Sequence, residues 1–207
     1  MTQFCALCVA VLVIPASVAL AVGHTDGSAS APSNVTRLVT HVPEATLDKV
    51  GAGQVLGQGS FPVSKLKGAP LRSGGKPELL ATIFAWCPHC AANSWGLAVA
   101  LSRFGKLSDL RIIDTGILFG QFNHSHGLSF FGADHSSPYP SFVPVILQDV
   151  KGHTLETPTA KEQNAVNAFD PQGTPAIDVG GRWGFVNAGY SPAILAGKNW
   201  SQIAASR

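Results

Sequence analysis

Two cysteines, Cys87 and Cys90, have the residue type and the spacing that suit redox chemistry. As a structural disulfide, the pair would close only a very short loop and would stabilise the fold little. The spacing instead suits thiol–disulfide exchange, in which one thiolate attacks or leaves and the other thiol resolves the mixed disulfide. Pro88 and His89 separate the two cysteines, and Trp86 is expected to shield one side of the pair.

The residues that flank the pair must position it, and they predict a strand followed by a helix. Residues 79–85 form a short apolar run of strand length, and residues 91–104 carry apolar side chains at helical spacing. Cys87 would then be the N-cap of the helix and Pro88 its first residue, where proline loses no hydrogen bond. The unpaired N–H groups and the positive end of the helix would lower the pKa of Cys87. His89 would add positive charge or hydrogen-bond donation to the thiolate.

The order of elements predicts an α/β fold. A strand over residues 110–115 follows the helix, and a strand–helix–strand order implies a parallel pair joined by a crossover helix. Residues 136–144 hold three prolines and are expected to be irregular. The other predicted elements are helices over 43–50, 159–169, 192–197 and 200–205, strands over 62–67, 128–133 and 145–150, and a hairpin with strands 176–179 and 182–186.

A zinc site is the alternative use of the cysteine pair, because zinc would take two more ligands from elsewhere in the chain. Cys5 and Cys8 form a second pair, but they lie inside an apolar run, where cysteines act as small hydrophobic residues. His124, His126 and His135 are other candidate ligands, although a Ser/Gly-rich loop favours solvated histidines. We therefore predict no metal.

Composition limits the class of protein. The chain has 207 residues, of which 45% are apolar, so one domain with a substantial core is expected. Only 13% of the residues are charged, and the net charge is +2. Because no Lys/Arg-rich run occurs, we predict no nucleic-acid partner.

The beginning of the chain predicts export. Residues 1–22 are almost entirely apolar and are interpreted as a signal peptide or a membrane anchor, since about 19 apolar residues can just span a bilayer. Either reading places the folded part outside the cytoplasm, secreted, periplasmic or membrane-anchored. Residues 23–42 are rich in small polar residues and predict a flexible linker, and residues 43–207 would form the domain.

The segment Trp86-Cys87-Pro88-His89-Cys90 resembles the active site of the thioredoxin superfamily, and its Pro-His dipeptide is the one typical of DsbA-type oxidases. A second resemblance, over roughly residues 60–205, is to a prokaryotic thioredoxin-like family catalogued as a domain of unknown function. The segments that carry it are Cys87–Ala92, Ala100–Gly105, Ser137–Tyr139, Gly189–Pro192 and Gly197–Trp200.

The resemblance implies a thioredoxin-like fold with a cis-proline facing the disulfide. Pro175 matches that proline by position, because it opens a strand that continues into a hairpin. An ordinary trans turn proline is the alternative, since cis bonds are uncommon even before proline. In the superfamily the backbone of the preceding residue pairs with the substrate chain, so the resemblance makes Thr174 a substrate-contact residue.

Two features depart from the family pattern. The superfamily often carries a buried acid six residues before the first cysteine, where this chain has Ala81. Proton transfer would then differ, with Glu78 or Asp114 as candidates. The segment over about residues 116–160 is expected to be an insertion that shapes a substrate surface, with possible apolar contacts from Phe130, Phe131 and Tyr139, although the core is the expected place for the two phenylalanines.

We therefore expect an extracytoplasmic thiol–disulfide oxidoreductase that uses Cys87 and Cys90 as a redox-active disulfide, without another cofactor. Oxidation of cysteine-containing exported proteins is the leading interpretation, with a membrane or soluble redox partner that recycles the disulfide. A disulfide reductase or isomerase is the second interpretation. A non-enzymatic binding domain that keeps the thioredoxin fold is the alternative from a different class.

Overall fold

The structure is a computed structural model that describes residues 25–50, 63–169 and 174–206. The predicted signal peptide or anchor over residues 1–22 lies outside the described residues. Within these three ranges, no helix is long and apolar enough to cross a membrane. The described residues form a mixed α/β structure with several sheets and five α-helices.

The elements are numbered in chain order. The strands are β1 Ala29–Ser30, β2 Ser64–Lys65, β3 Arg72–Ser73, β4 Lys76–Phe84, β5 Lys106–Ser108, β6 Arg111–Asp114, β7 His126–Ser129, β8 Asp134–Ser136, β9 Ser141–Gln148, β10 Ala176–Val179 and β11 Trp183–Val186. The helices are α1 Ser33–Thr40, α2 Glu44–Val50, α3 Pro88–Phe104, α4 Ala160–Asn167 and α5 Trp200–Ala205, with a 3₁₀ helix over Pro192–Leu195.

The largest sheet has the order β2-β11-β10-β4-β9, and β3 pairs with the beginning of β4. Strand β9 runs parallel to β4, whereas β10 and β11 form an antiparallel hairpin beside it. The prediction that residues 110–115 form the parallel partner of β4 is wrong. Strand β6, which covers most of those residues, pairs antiparallel with β1 and β7 in a separate sheet. The continuous apolar run of β9 suits the parallel position better than β6, which begins and ends in a charged residue.

Strand β4 is covered on both faces, which explains why residues 79–84 are apolar except for Thr82. Ala81 faces a core formed with α1, α3 and α5, whereas its neighbour Leu80 faces a second core formed with α4. Successive side chains of a strand point to opposite faces, so both faces must be apolar when both are covered. This packing holds the C-terminal end of β4 in position, and α3 begins shortly after that end.

The predicted flexible linker over residues 23–42 differs from the structure. Helix α1 buries Val35 and Val39 completely in the core that contains α3 and α5, and β1 pairs with β6. Val35 and Val39 are four residues apart and thus share one helix face. The many small residues elsewhere in residues 23–42 hid this pattern in the composition.

The predicted insertion over residues 116–160 is also shifted. Residues 141–148 form β9 in the largest sheet, so the additional segment between α3 and β9 spans residues 105–140 and contains β5 to β8. The expected irregular stretch over 136–144 contains the end of β8 and the beginning of β9, and Pro144 fits because β9 lies at the edge of the sheet. The predicted hairpin of residues 176–186 is confirmed, with Gly180 and Gly181 at φ +66° and +69°.

Candidate functional site

Cys87 and Cys90 lie at the point where β4 passes into α3. Cys87 is the N-cap of α3, with φ −87° and ψ 119°, and Pro88 is the first helical residue. The backbone N–H of Cys90 donates to Cys87 Sγ over 3.3 Å, so the sulfur satisfies one of the free donors at the start of the helix. Both thiols are free, and only 3% of Cys87 and 5% of Cys90 is exposed.

The fold shifts the pKa values of the two thiols in opposite directions. The Cys90 thiol, through its hydrogen bond, is the main cause that lowers the pKa of Cys87, and the backbone N–H groups of Cys90 and His89 act in the same direction against burial. Burial raises the pKa of Cys90 well above its usual range. The reduced pair therefore favours a thiolate at Cys87 and a thiol at Cys90, which is the asymmetry that a nucleophile and a resolving cysteine need.

Thr174 and Pro175 lie beside this pair, although they are remote in sequence. The Thr174–Pro175 peptide bond is cis, and Pro175 leads directly into β10. Because β10 pairs with β4, it brings the carbonyl oxygen of Thr174 to 3.8 Å from Cys87 Sγ. The structure thus places Thr174 next to the thiol, where a polypeptide bound along this backbone would reach it.

Trp86 is held between β4 and β9. Its indole Nε1 donates to Gln148 Oε1 over 2.6 Å, and its ring stacks on Phe84 with centroids 5.0 Å apart. Gln148 is the last residue of β9, so this bond ties the end of the parallel strand to the residue before Cys87. Trp86 is half-buried and flanks the pair as expected.

His89 differs from the expectation of a positive charge. Burial lowers the pKa of its imidazole, so the ring is mainly neutral at neutral pH. Its ring lies edge-on to Phe119 and Phe122, with centroids 6.0 and 6.1 Å apart. Its buried Nδ1 has no hydrogen-bond partner among the described residues. His89 therefore contributes its backbone N–H and an aromatic contact, not a cation, to the environment of Cys87.

The beginning of the predicted insertion is a loop that lies against this aromatic group, and we call residues 116–123 the apolar loop; sequence reasoning did not single out its side chains. Four of its side chains are exposed although they are large and apolar: Ile117, Leu118, Phe119 and Phe122 are 68%, 52%, 41% and 37% exposed. Phe119 stacks on Trp86 with centroids 6.1 Å apart. A run of large apolar residues without helical or strand periodicity, next to Gly116 and Gly120, was the signal available in the sequence.

The aromatic residues expected to contact substrate lie elsewhere. Phe130 is only 1% exposed and packs edge-on against Phe142 in the core, as its alternative role predicted. Phe131 is half-buried and packs with the small apolar cluster of Ala85, Ile113 and Ile146. Tyr139 is exposed but packs on Phe104, at the far end of α3 from the cysteines.

The two acids considered for proton transfer serve other contacts. Glu78 lies near the beginning of β4, away from the cysteines, and its carboxylate pairs with Lys161 over 2.5 Å. Asp114 pairs with His124 over 3.1 Å.

The structure instead places Asp26 in the lining of a cavity that Cys90 also lines, and no local signal in the sequence indicates this. Asp26 is completely buried, and both residues line one small cavity with room for about one water molecule. Its carboxylate accepts hydrogen bonds from the N–H of Ser28 over 3.0 Å and from the hydroxyls of Ser28 and Ser129. The cavity therefore connects a buried carboxylate to the thiol with the raised pKa.

The candidate zinc ligands do not meet the cysteine pair. His126 stacks on Trp200 and its Nδ1 donates to the carbonyl of Lys198, while His135 Nε2 donates to the carbonyl of Leu101. His124 lies against Asp114. Across the described residues, no group of three His, Cys, Asp or Glu side chains could hold a metal ion. Cys5 and Cys8 lie outside those residues.

Comparison with known families shows a partial match. A family described as a domain of unknown function, DUF929, matches residues 62–145. The match includes Cys87, Cys90, the whole of α3 and the additional segment up to β9, which confirms the predicted similarity to a domain of unknown function over this range. It ends before Thr174 and the β10–β11 hairpin. No curated protein and no solved structure matches the chain.

Proposed function

We propose that this chain is a thiol–disulfide oxidoreductase with a thioredoxin-like fold. The fold proposal is supported by the β4–α3–β9 unit with its parallel strands, by the antiparallel β10–β11 hairpin beside β4, and by cysteines at the beginning of α3. In the superfamily that the Cys-Pro-His-Cys segment resembles, a cis-proline faces the cysteines, and Pro175 has that position here.

The single observation that carries the proposed activity is the asymmetry of the two thiols. Cys87 has its sulfur at the N-terminus of α3 and a lowered pKa, whereas Cys90 is buried with a raised pKa. A thiolate that is stabilised by the fold is both an available nucleophile and a good leaving group. A purely structural role would not need that difference.

The proposed direction is oxidation of substrate dithiols. A substrate thiolate attacks Cys87 Sγ in the Cys87–Cys90 disulfide, which forms a mixed disulfide and releases the Cys90 sulfur as a thiolate that takes a proton. A second substrate thiolate then attacks the substrate sulfur of the mixed disulfide and releases the Cys87 thiolate. The substrate loses two electrons and gains one disulfide, and the reduced pair holds those electrons. An external disulfide, which is itself reduced to two thiols, restores the Cys87–Cys90 disulfide.

Recycling requires that the Cys90 thiol lose its proton, because Cys87 forms the mixed disulfide with the oxidant and Cys90 must then attack it. The raised pKa of Cys90 makes this loss unfavourable without a base. Asp26 is the carboxylate that shares a cavity with Cys90, and one water in that cavity would carry the proton to it. In this proposal Asp26 takes the role for which Glu78 and Asp114 were the candidates in the sequence.

The substrates are proposed to be exported proteins in an unfolded state. Thr174 offers backbone groups for pairing with an extended chain next to Cys87, and the apolar loop offers exposed side chains beside the same site. Apolar residues are exposed in unfolded chains, so the combination favours such substrates over folded ones. The apolar start of the chain supports an extracytoplasmic location, where dithiol oxidation is useful.

The test uses the full chain and its Cys87→Ser and Cys90→Ser variants with a reduced, unfolded protein in glutathione buffer. We expect the wild type to accelerate disulfide formation and Cys87→Ser to abolish that acceleration. Cys90→Ser cannot form the Cys87–Cys90 disulfide, and it should accumulate at Cys87 a mixed disulfide with glutathione that residue 90 can no longer resolve. Undiminished acceleration by Cys87→Ser would refute the proposed chemistry.

If the wild type lacks exchange activity but still binds unfolded protein, the chain is a binding domain. Cys87→Ser would then bind as well as the wild type in the same assay, because no bond to sulfur would contribute. If the chain reduces substrate disulfides faster than it oxidises substrate dithiols, the result would instead assign the reductase or isomerase function.

A further inference from the structure

A groove on the side of α3 that packs with α1 and α5 is separate from the cysteine site. It has a volume of ≈ 510 Å³, and its walls come from the α1–α2 region, α3, the 3₁₀ helix and α5. Most of its lining is apolar, with Leu47, Trp95, Val99, Ile194 and Ile203 among the contributing side chains. This volume lies in the range of small-molecule sites.

Gly96 is an exposed residue of α3 that lines this groove. A Cβ atom at Gly96 would have no heavy atom within 4 Å, so no packing constraint within the described structure requires glycine there. Glycine is the least favourable helix residue apart from proline, and Gly96 lies in the middle of α3. Its effect is to leave space in the groove that any other side chain would occupy.

The charged residues in the lining are both cations. Arg103 lies on α3 and Lys198 follows the 3₁₀ helix, and none of the described residues that line the groove is acidic. Neither cation forms an ion pair with any residue that the structure describes. An apolar cavity with two unpaired cations complements a ligand that has an apolar body and an anionic head group.

We propose that this groove binds a single-chain anionic amphiphile, a medium- or long-chain carboxylate. The chain would lie against Trp95, Gly96 and Val99, and the carboxylate would be attracted by the two cations of the lining, Arg103 and Lys198. This assignment is independent of the redox chemistry, because none of these residues belongs to the cysteine site.

The test measures binding of dodecanoate to the full chain by NMR of the ¹³C-labelled carboxylate, below its micelle concentration. Dodecanol and dodecyltrimethylammonium are the neutral and cationic probes of the same chain length. We expect saturable one-to-one binding of dodecanoate, about tenfold weaker binding of dodecanol, and still weaker binding of the cation, because two charge contacts are lost and then opposed.

Two variants locate the site. Gly96→Leu should fill the space and weaken dodecanoate binding at least tenfold, whereas Arg103→Gln with Lys198→Gln should remove the preference for the acid over the alcohol. Lys106→Gln, an exposed cation outside the groove, is the matched control and should bind as the wild type does.

Three outcomes would overturn the proposal. They are no saturable binding to the wild type, equal binding of the three probes, and unchanged binding to Gly96→Leu. A lower melting temperature of Gly96→Leu without ligand would also count against it, because the space would then already be filled by protein.

Discussion

Strand β7 passes so close to the first turn of α3 that Gly127 leaves no room for a side chain. A Cβ atom at Gly127 would lie 2.6 Å from the Cα and 2.7 Å from the Cβ of Ala91, where ordinary contacts begin at 3.4 Å. In Gly127→Ala, β7 and α3 must therefore separate by about 0.8 Å. The Cα and Cβ atoms of Ala91 cannot rotate away from the new methyl group. Ala91 directly follows Cys90, so the strain falls on the turn that holds the cysteine pair.

The expected cost of this substitution is at the upper end of the range for overpacking, about 3 kcal/mol. At roughly 2–4 °C per kcal/mol for a chain of this size, the melting temperature should fall by about 6–12 °C. The control is Gly96→Ala on the same helix, where a Cβ atom meets nothing within 4 Å. Because alanine favours the helix, this control should melt at the same temperature as the wild type or higher.

Thermal unfolding of the full chain followed by circular dichroism measures both variants. The reasoning about the close β7–α3 contact would be refuted if Gly127→Ala melted within about 2 °C of the wild type, since even ~1 kcal/mol would exceed that shift. A similar loss in Gly96→Ala would show that the helix, and not the contact, determines the effect.

Three further predictions concern the site. Alkylation of Cys87 in the reduced protein should decline with falling pH around a midpoint below that of an ordinary thiol, because the fold lowers its pKa, and a profile like that of a free thiol would contradict this. Asp26→Asn should slow reoxidation of the reduced pair by about tenfold or more, and the reoxidation rate should then increase more steeply with pH. Glu78→Gln should leave the pH profile of the rate unchanged. Identical profiles for both variants would exclude Asp26 as the base. Phe119→Ser should slow disulfide exchange with an unfolded protein severalfold and leave exchange with glutathione unchanged. Tyr139→Ser is the control. An equal loss of rate with both substrates would show that Phe119 positions the cysteine site and does not contact the substrate.

Local patterns in the sequence predicted the elements that carry the cysteines. The apolar run before Cys87 predicted β4, and the helical spacing after Cys90 predicted α3 to its final residue, Phe104. The Gly180-Gly181 pair predicted the β10–β11 hairpin because only glycine readily adopts two successive positive φ angles. These features depend on residues that are neighbours in the chain, so a single sequence contains their signal.

The contacts that a single sequence did not predict join residues remote from one another. Asp26 reaches the cavity of Cys90 because α1 and β1 fold back onto the domain, and composition had indicated a flexible linker there. Only the second half of β9 was expected, as part of a strand over residues 145–150, and its parallel pairing with β4 depends on how the intervening segment folds into its own sheets. The neutral state of His89 likewise follows from its burial against Phe119 and Phe122, which no nearby residue indicates.

A redox titration of the full chain in glutathione buffer tests the central claim most directly. The state of Cys87 and Cys90 is read by rapid alkylation and mass spectrometry of the peptide that contains both residues. The account predicts a two-electron transition at a potential well above the roughly −270 mV of a thioredoxin, because the stabilised Cys87 thiolate favours the reduced form. A potential at or below that value would contradict the oxidase direction, and the absence of any transition would contradict the redox function itself.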